Sequence, residues 1–249
     1  MIGRRADREA GITLAELLVT MMILSFIVVT TAAIVIGTQR TSQQTVNRLE
    51  QVQEARTGTE RMSQTLRTAV MPSQLIGACA GCTEDAFVQG RRFEVQFYAN
   101  IDNPGNSVGP SRVTYSVSDP DGDGVGDLVQ TVQVPDSPVP TNLGYQYCNP
   151  ALGSPTCLAR VRTQVVARDV LVDPARPIFR YFNELGEELD PGNGSLTAAQ
   201  LGRVLSVELL VRVQGQQGED TRAGETTFVQ RIMLPNAQAV IRQGRSEEE

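Results

Sequence analysis

The sequence predicts an α+β protein in which a long N-terminal helix, membrane-spanning in its first half, packs on a C-terminal antiparallel β-sheet head. Three observations predict it. Residues 17–37, LLVTMMILSFIVVTTAAIVIG, run for 21 positions without a charge. Residues 41–70 contain no proline and repeat apolar side chains at mostly helical spacing. After Pro72 the pattern changes to short alternating runs broken by turn residues. The chain thus divides into a polar stub at 1–11, a spanning helix at 12–38, its amphipathic continuation at 39–70, a β-rich head at 71–242 and a charged tail at 243–249.

The stub carries Arg4, Arg5 and Arg8 against Asp7 and Glu9. At 1.5 Å per residue, a helix as long as the uncharged run spans roughly 30 Å, enough for a bilayer core. The preceding arginines place the N-terminus in the cytoplasm and the head outside. A secretory signal peptide is the alternative, but the run exceeds the usual 7–15 residues of a signal core and a carboxylate, Glu16, stands at its start. A charge in or beside a membrane segment is costly, so Glu16 is a functional candidate with a partner to be named. The bland reading of Glu16 is a headgroup-level residue, or one that suits the positive end of the helix dipole.

Beyond the bilayer, Val46, Leu49, Val52, Ala55, Met62 and Leu66 form the stripe expected to dock on the head, with a coiled coil to another subunit as the alternative. Gly58 is expected to loosen the helix and Pro72 to end it. Strands are expected where Phe93, Val95 and Phe97 alternate with polar residues, where Val113, Tyr115 and Val117 do so, around Leu128, Val132 and Val134, at 178–182, at 205–213 and at 227–234.

The composition narrows the chemistry. Among 249 residues there is no histidine, and every one of the 22 basic residues is arginine. Histidine bases, histidine metal ligands and lysine Schiff bases are therefore excluded, and no nucleophile elbow or phosphate-binding glycine loop occurs in context. The adjacent pairs Glu187/Glu188 and Glu219/Asp220 suit solvated turns. An enzyme is not expected, and a net charge of −6 argues against a nucleic-acid partner held by a broad basic surface.

Four cysteines lie beyond the membrane segment as two close pairs, Cys79/Cys82 and Cys148/Cys157. Three connectivities exist, and proximity in an oxidising compartment favours the two local bridges. Closing the 148–157 loop would stabilise by about 2–3 kcal/mol on the chain-entropy model. The Cys-x-x-Cys spacing also suits a thiol oxidoreductase, although the strand-then-helix context is missing, and a four-thiolate zinc site would have poor spacing.

Between two expected strands lies DPDGDGVGD at 119–127. Carboxylates at alternate positions converge when a backbone curls around a hard cation, and a glycine after the third permits the turn. Asp119, Asp121 and Asp123 would be side-chain ligands, Val125 would ligate through its carbonyl, and Asp127 directly or through water. Gln130 stands where such a loop has its bidentate glutamate. Calcium is the cofactor this pattern implies; an ion-free aspartate-glycine hairpin tip is the alternative.

The string GITLAELL at 11–18, followed by the apolar run, resembles the processing site of type IV pilins and of the pseudopilins of type II secretion and competence systems. The resemblance implies cleavage by a prepilin peptidase after Gly11 and methylation of the new N-terminal residue, Ile12, where the family usually has phenylalanine or methionine. Glu16 becomes the fifth residue of the mature chain and, by resemblance, neutralises a neighbouring subunit's terminal amine on assembly. Implied partners are the peptidase, other pilin or pseudopilin subunits, an inner-membrane assembly platform and, before assembly, membrane lipid. The implied location is the bacterial inner membrane, then a periplasmic or surface filament. The head at 177–189 and 204–213 is faintly similar to the larger minor pseudopilins of J-type or the minor pilins of W-type. An outward-facing calcium-dependent adhesin or binding module on a single-pass anchor is the alternative function.

Overall fold

A computed structural model describes residues 13–76, 79, 82, 85–214 and 225–234. Helix α1 covers Leu14–Arg67, and the chain divides into two units, Met1–Asn47 and Arg48–Glu249. In the first unit the stretch Leu14–Val46 has a mean hydropathy of 2.5 and buries none of its side chains, so it is long and apolar enough to cross a membrane. Most of its hydroxyls cost little in such a setting because they find an acceptor on the preceding turn. Thr20 donates to the Leu17 carbonyl at 2.9 Å, Ser25 to Met22 at 2.8 Å and Thr31 to Ile27 at 2.7 Å.

In the second unit the rest of α1 lies on a nine-stranded sheet in which every paired neighbour is antiparallel. The strands are β1 (Phe87–Gly90), β2 (Glu94–Ala99), β3 (Ser111–Ser118), β4 (Val125–Gln133), β5 (Val161–Leu171), β6 (Phe179–Phe182), β7 (Glu188–Leu189), β8 (Ser206–Gln214) and β9 (Glu225–Met233). Their order is β1-β2-β3-β4-β5-β8-β6-β7, and β9 pairs with β8. One edge of β8 is taken along its whole length by β9; the other is shared, with residues 206–209 facing β6 and Val213 facing Val170 of β5. The coarse expectation of a long helix followed by an antiparallel β head is met, and each expected strand has a counterpart.

The helix stripe that docks is Ala55, Thr59, Met62, Ser63 and Leu66, all buried at i, i+4, i+7, i+8, i+11. It covers Phe97, Tyr115, Val166, Val211 and Ile232 in one core. The expected stripe is shorter than anticipated: Val46 and Leu49 remain exposed and Val52 is half-buried.

Two expectations about the helix are corrected. Gly58 does not loosen it, since the helix runs through that position and the glycine instead permits close approach to β5. Pro72 does not end it either. The helix stops at Arg67 because the next residues are captured by the sheet: Asn100 N–H donates to the Thr68 carbonyl at 3.0 Å and Val70 N–H to the Tyr98 carbonyl at 2.9 Å. Pro72 opens a separate short turn, Pro72–Leu75.

On the other face of the sheet, the Arg212 guanidinium is almost wholly enclosed between Asp173 at 3.3 Å and Glu225 at 3.4 Å. Arg176 reaches the same two carboxylates at 3.9 and 3.7 Å, which ties the start of β9 to the turn after β5.

Candidate functional site

The start of α1 is built by Thr13. Its Oγ1 accepts the Glu16 N–H at 3.3 Å, and its carbonyl accepts the Glu16 and Leu17 amides at 3.1 Å each. Glu16 is exposed in the first turn, where a carboxylate matches the dipole of the helix. Sequence reasoning singled out Glu16 but missed Thr13, although Thr-x-x-Glu ahead of an apolar run is a helix-start signature. Gly11 and Ile12, the processing residues, lie outside the described residues, as do Glu219, Asp220 and the tail at 243–249.

The acidic segment is the tip of the β3–β4 hairpin. Asp119 turns its carboxylate back on the loop, accepting Gly122 N–H at 2.8 Å and Gly124 N–H at 3.1 Å, while Asp123 accepts Val125 N–H at 2.9 Å. Both glycines have positive φ, +68° and +84°, which an L side chain rarely adopts. Asp121 and Asp123 are exposed; Val125 starts β4, and Asp127 pairs with Ser118 across the ladder. Among the described residues no group of three acidic or cysteine side chains gathers where it would hold a metal, and none of these four aspartates makes an ion pair. Gln130 points elsewhere: it is buried and donates to the Tyr115 hydroxyl at 2.6 Å.

The cysteines form the two local bridges, Cys79–Cys82 and Cys148–Cys157, and no thiol is left free. The second bridge is tied to the end of β4, where the Gln133 side chain donates to the Cys148 carbonyl at 2.7 Å. Cys157 is itself buried in the short helix Pro155–Leu158.

A feature that the sequence did not reveal is a pocket of about 390 Å³ between α1 and the middle of the sheet. Gln53, Thr57 and Arg61 form its helix side, and Tyr115, Gln130 and Gln164 the sheet side. A chain of side-chain hydrogen bonds runs along its floor, from the Gln164 amide to the Gln130 oxygen and from the Gln130 amide to Tyr115. Burial pushes the Tyr115 hydroxyl up to about 12, against the opposing effect of its hydrogen bonds with Thr65 and Gln130, so the phenol is protonated at neutral pH. Among the described residues, no acidic side chain lines the pocket.

No family model matches the sequence, and no curated protein or solved structure is significantly similar to it.

Proposed function

We propose that the chain is a minor pilin or pseudopilin, a structural subunit of a type IV pilus-like filament in a secretion, competence or pilus system. The observation that carries the reading is the organisation of α1: a capped start with Glu16 in its first turn, an apolar stretch to Val46 that buries nothing, and a second half that docks on an antiparallel head. The GITLAELL string directly at that start supports the same reading. In this role the apolar stretch anchors the precursor in the inner membrane with its N-terminus cytoplasmic, then becomes filament core. The two disulfides suit a head outside the cytoplasm. The partners are a prepilin peptidase, other pilin or pseudopilin subunits and an inner-membrane assembly platform, and the work is assembly and not catalysis.

Co-expression with a prepilin peptidase tests the reading. Intact mass is expected to show loss of residues 1–11 and a methyl group on Ile12. An unchanged N-terminus would overturn it in favour of a membrane-anchored binding module. Calcium at the hairpin is a separate proposal, supported by the alternating aspartates alone; each Asp119 oxygen accepts one backbone amide and keeps a lone pair for the ion. Millimolar calcium would then raise the melting temperature of the head, and an unchanged melt would remove the ion from the account.

A further inference from the structure

The molecule carries two complementary features that it cannot bring together within one chain. The first is the pocket between α1 and β3–β5. Its polar rim and floor carry Arg61, Gln53, Thr57 and Gln164, and among the described residues no carboxylate lines it. Arg61 is exposed, and among the described residues it makes no ion pair. The second is the β3–β4 hairpin tip, whose Asp121 and Asp123 are exposed and, with Asp119 and Asp127, also lack a cationic partner among the described residues. Most other acidic groups of the head are ion-paired: Glu94, Asp102, Asp136, Asp173, Glu184, Glu188, Asp190, Glu208 and Glu225 each have an arginine within 4 Å.

The hairpin cannot fold onto its own pocket. Tyr115 on the pocket floor and Asp121 at the tip belong to one continuous hairpin, whose ladder pairs Tyr115 with Gln130 and Ser118 with Asp127. β3 runs only three residues beyond Tyr115, to Ser118, so about 10 Å of strand and then the loop separate the tip from that floor. The exposed carboxylates are therefore presented at the end of the sheet, where Val172 N–H donates to the Gly124 carbonyl at 2.8 Å.

We propose that the pocket receives the acidic hairpin tip of a second copy of this chain, with Arg61 pairing with Asp121 or Asp123 of the incoming loop. Charge complementarity specifies the occupant, because a polar pocket whose guanidinium has no ion-pair partner among the described residues selects a carboxylate over an apolar or basic group. A contact between two different patches of the same chain is heterologous, and when its rotation does not close into a ring it propagates as a helical array. This deepens the filament reading and rests on it for the repetition of the contact, though the pairwise contact itself does not require a filament.

Cross-linking tests it on the full-length protein in detergent with EDTA present. All four native cysteines are bridged, so an introduced cysteine is the only free thiol. Gln53→Cys at the pocket rim and Pro120→Cys at the tip are expected to form a disulfide-linked dimer when the two variants are mixed, and little dimer when either is oxidised alone. Adding Arg61→Glu to the first variant, or Asp121→Arg to the second, is expected to lower the yield roughly tenfold, and combining both swaps to restore it. Arg61→Gln serves as a milder second variant, and each variant's melting curve confirms that it is folded. Equal cross-linking in mixed and unmixed samples, or charge swaps without effect, would overturn the proposal. So would a dimer that forms only after calcium is added, because the tip would then act through an ion. Leader cleavage by the peptidase is scored on the same samples. A cleaved leader without cross-linking sinks the pocket contact alone, and cross-linking with an uncleaved leader sinks the filament reading alone.

Discussion

Gly58 of α1 lies directly against the backbone carbonyl of Val166 in β5, so close that a methyl group on Gly58 would overlap the oxygen. The helix can approach the sheet at that distance only because position 58 has no side chain. Val166 sits at an irregularity in the ladder between β4 and β5, where Val129 pairs with Val165 and Leu128 with Ala167, leaving Val166 unopposed.

Gly58→Ala is therefore expected to destabilise the head, although alanine is the better helix former by about 1 kcal/mol. The obstacle is main chain, which cannot rotate away, and overpacking of this kind costs about 1–3 kcal/mol. A lower urea midpoint at unchanged slope is the expected result; a midpoint raised by the gain in helix propensity would show that α1 can lift off β5 without loss.

The same junction explains what could be read from the sequence and what could not. Strands β2, β3 and β8 were legible because Val95/Phe97, Val113/Tyr115 and Val207/Leu209/Val211 alternate cleanly into the core. Strand β5 was missed. Its alternation fails where exposed Val165 is followed by buried Val166 and Ala167, and it fails again near Asp169, which has φ +53°. The true end of α1 at Arg67 was hidden because it is set by Tyr98 and Asn100, some thirty residues downstream. The pocket was invisible for a similar reason: Arg61, Tyr115, Gln130 and Gln164 meet only through the register of β3, β4 and β5.

The Arg212 cluster makes an asymmetric prediction. One nitrogen of the guanidinium is buried without a hydrogen bond, while Asp173 and Glu225 keep more than a third of their side-chain surface in water. Removing the cation leaves two carboxylates that solvent can reach, whereas neutralising both carboxylates strands a buried charge. Arg212→Met is expected to cost at most about 1 kcal/mol, and Asp173→Asn with Glu225→Gln about 2–3 kcal/mol, discounted for the exposure of the acids. Chemical denaturation of the three proteins checks the order, and a larger loss for Arg212→Met would reverse the argument.

Alkaline pH isolates the tyrosines. The chain has no lysine and no free thiol, so tyrosine is the side-chain type whose ordinary ionisation, near 10, falls in the alkaline range. Tyr115 ionises near 10 when unfolded and at about 12 when folded, held protonated by burial. The folded state then binds the extra proton in that window, so its stabilising contribution is complete below about pH 10 and is lost as pH rises through 12. Stability of the wild-type protein is expected to fall more steeply than that of Tyr115→Phe, by up to about 1.4 kcal/mol per pH unit. Parallel curves would mean that Tyr115 ionises equally in both states. Tyr181, buried and also raised, supplies a decline that both proteins share.

Glu16 separates two physical roles that the start of α1 allows. As a helix-start residue it would favour the helix dipole and complete a reciprocal cap with Thr13, whose hydroxyl accepts the Glu16 amide. As an assembly residue in the proposed filament it would neutralise the terminal amine of a neighbouring subunit, which requires the charge itself. Glutamine keeps the capping geometry and removes the charge. Under the assembly reading, Glu16→Ala and Glu16→Gln both leave membrane insertion and leader cleavage intact and both reduce incorporation into filaments, while Thr13→Ala, which removes the cap and keeps the carboxylate, retains it. Under the capping reading the order inverts: Glu16→Gln incorporates normally and Thr13→Ala does not. Membrane fractionation, intact mass and immunogold labelling of sheared filaments read these outcomes separately, and normal incorporation of Glu16→Gln would end the assembly role of the carboxylate.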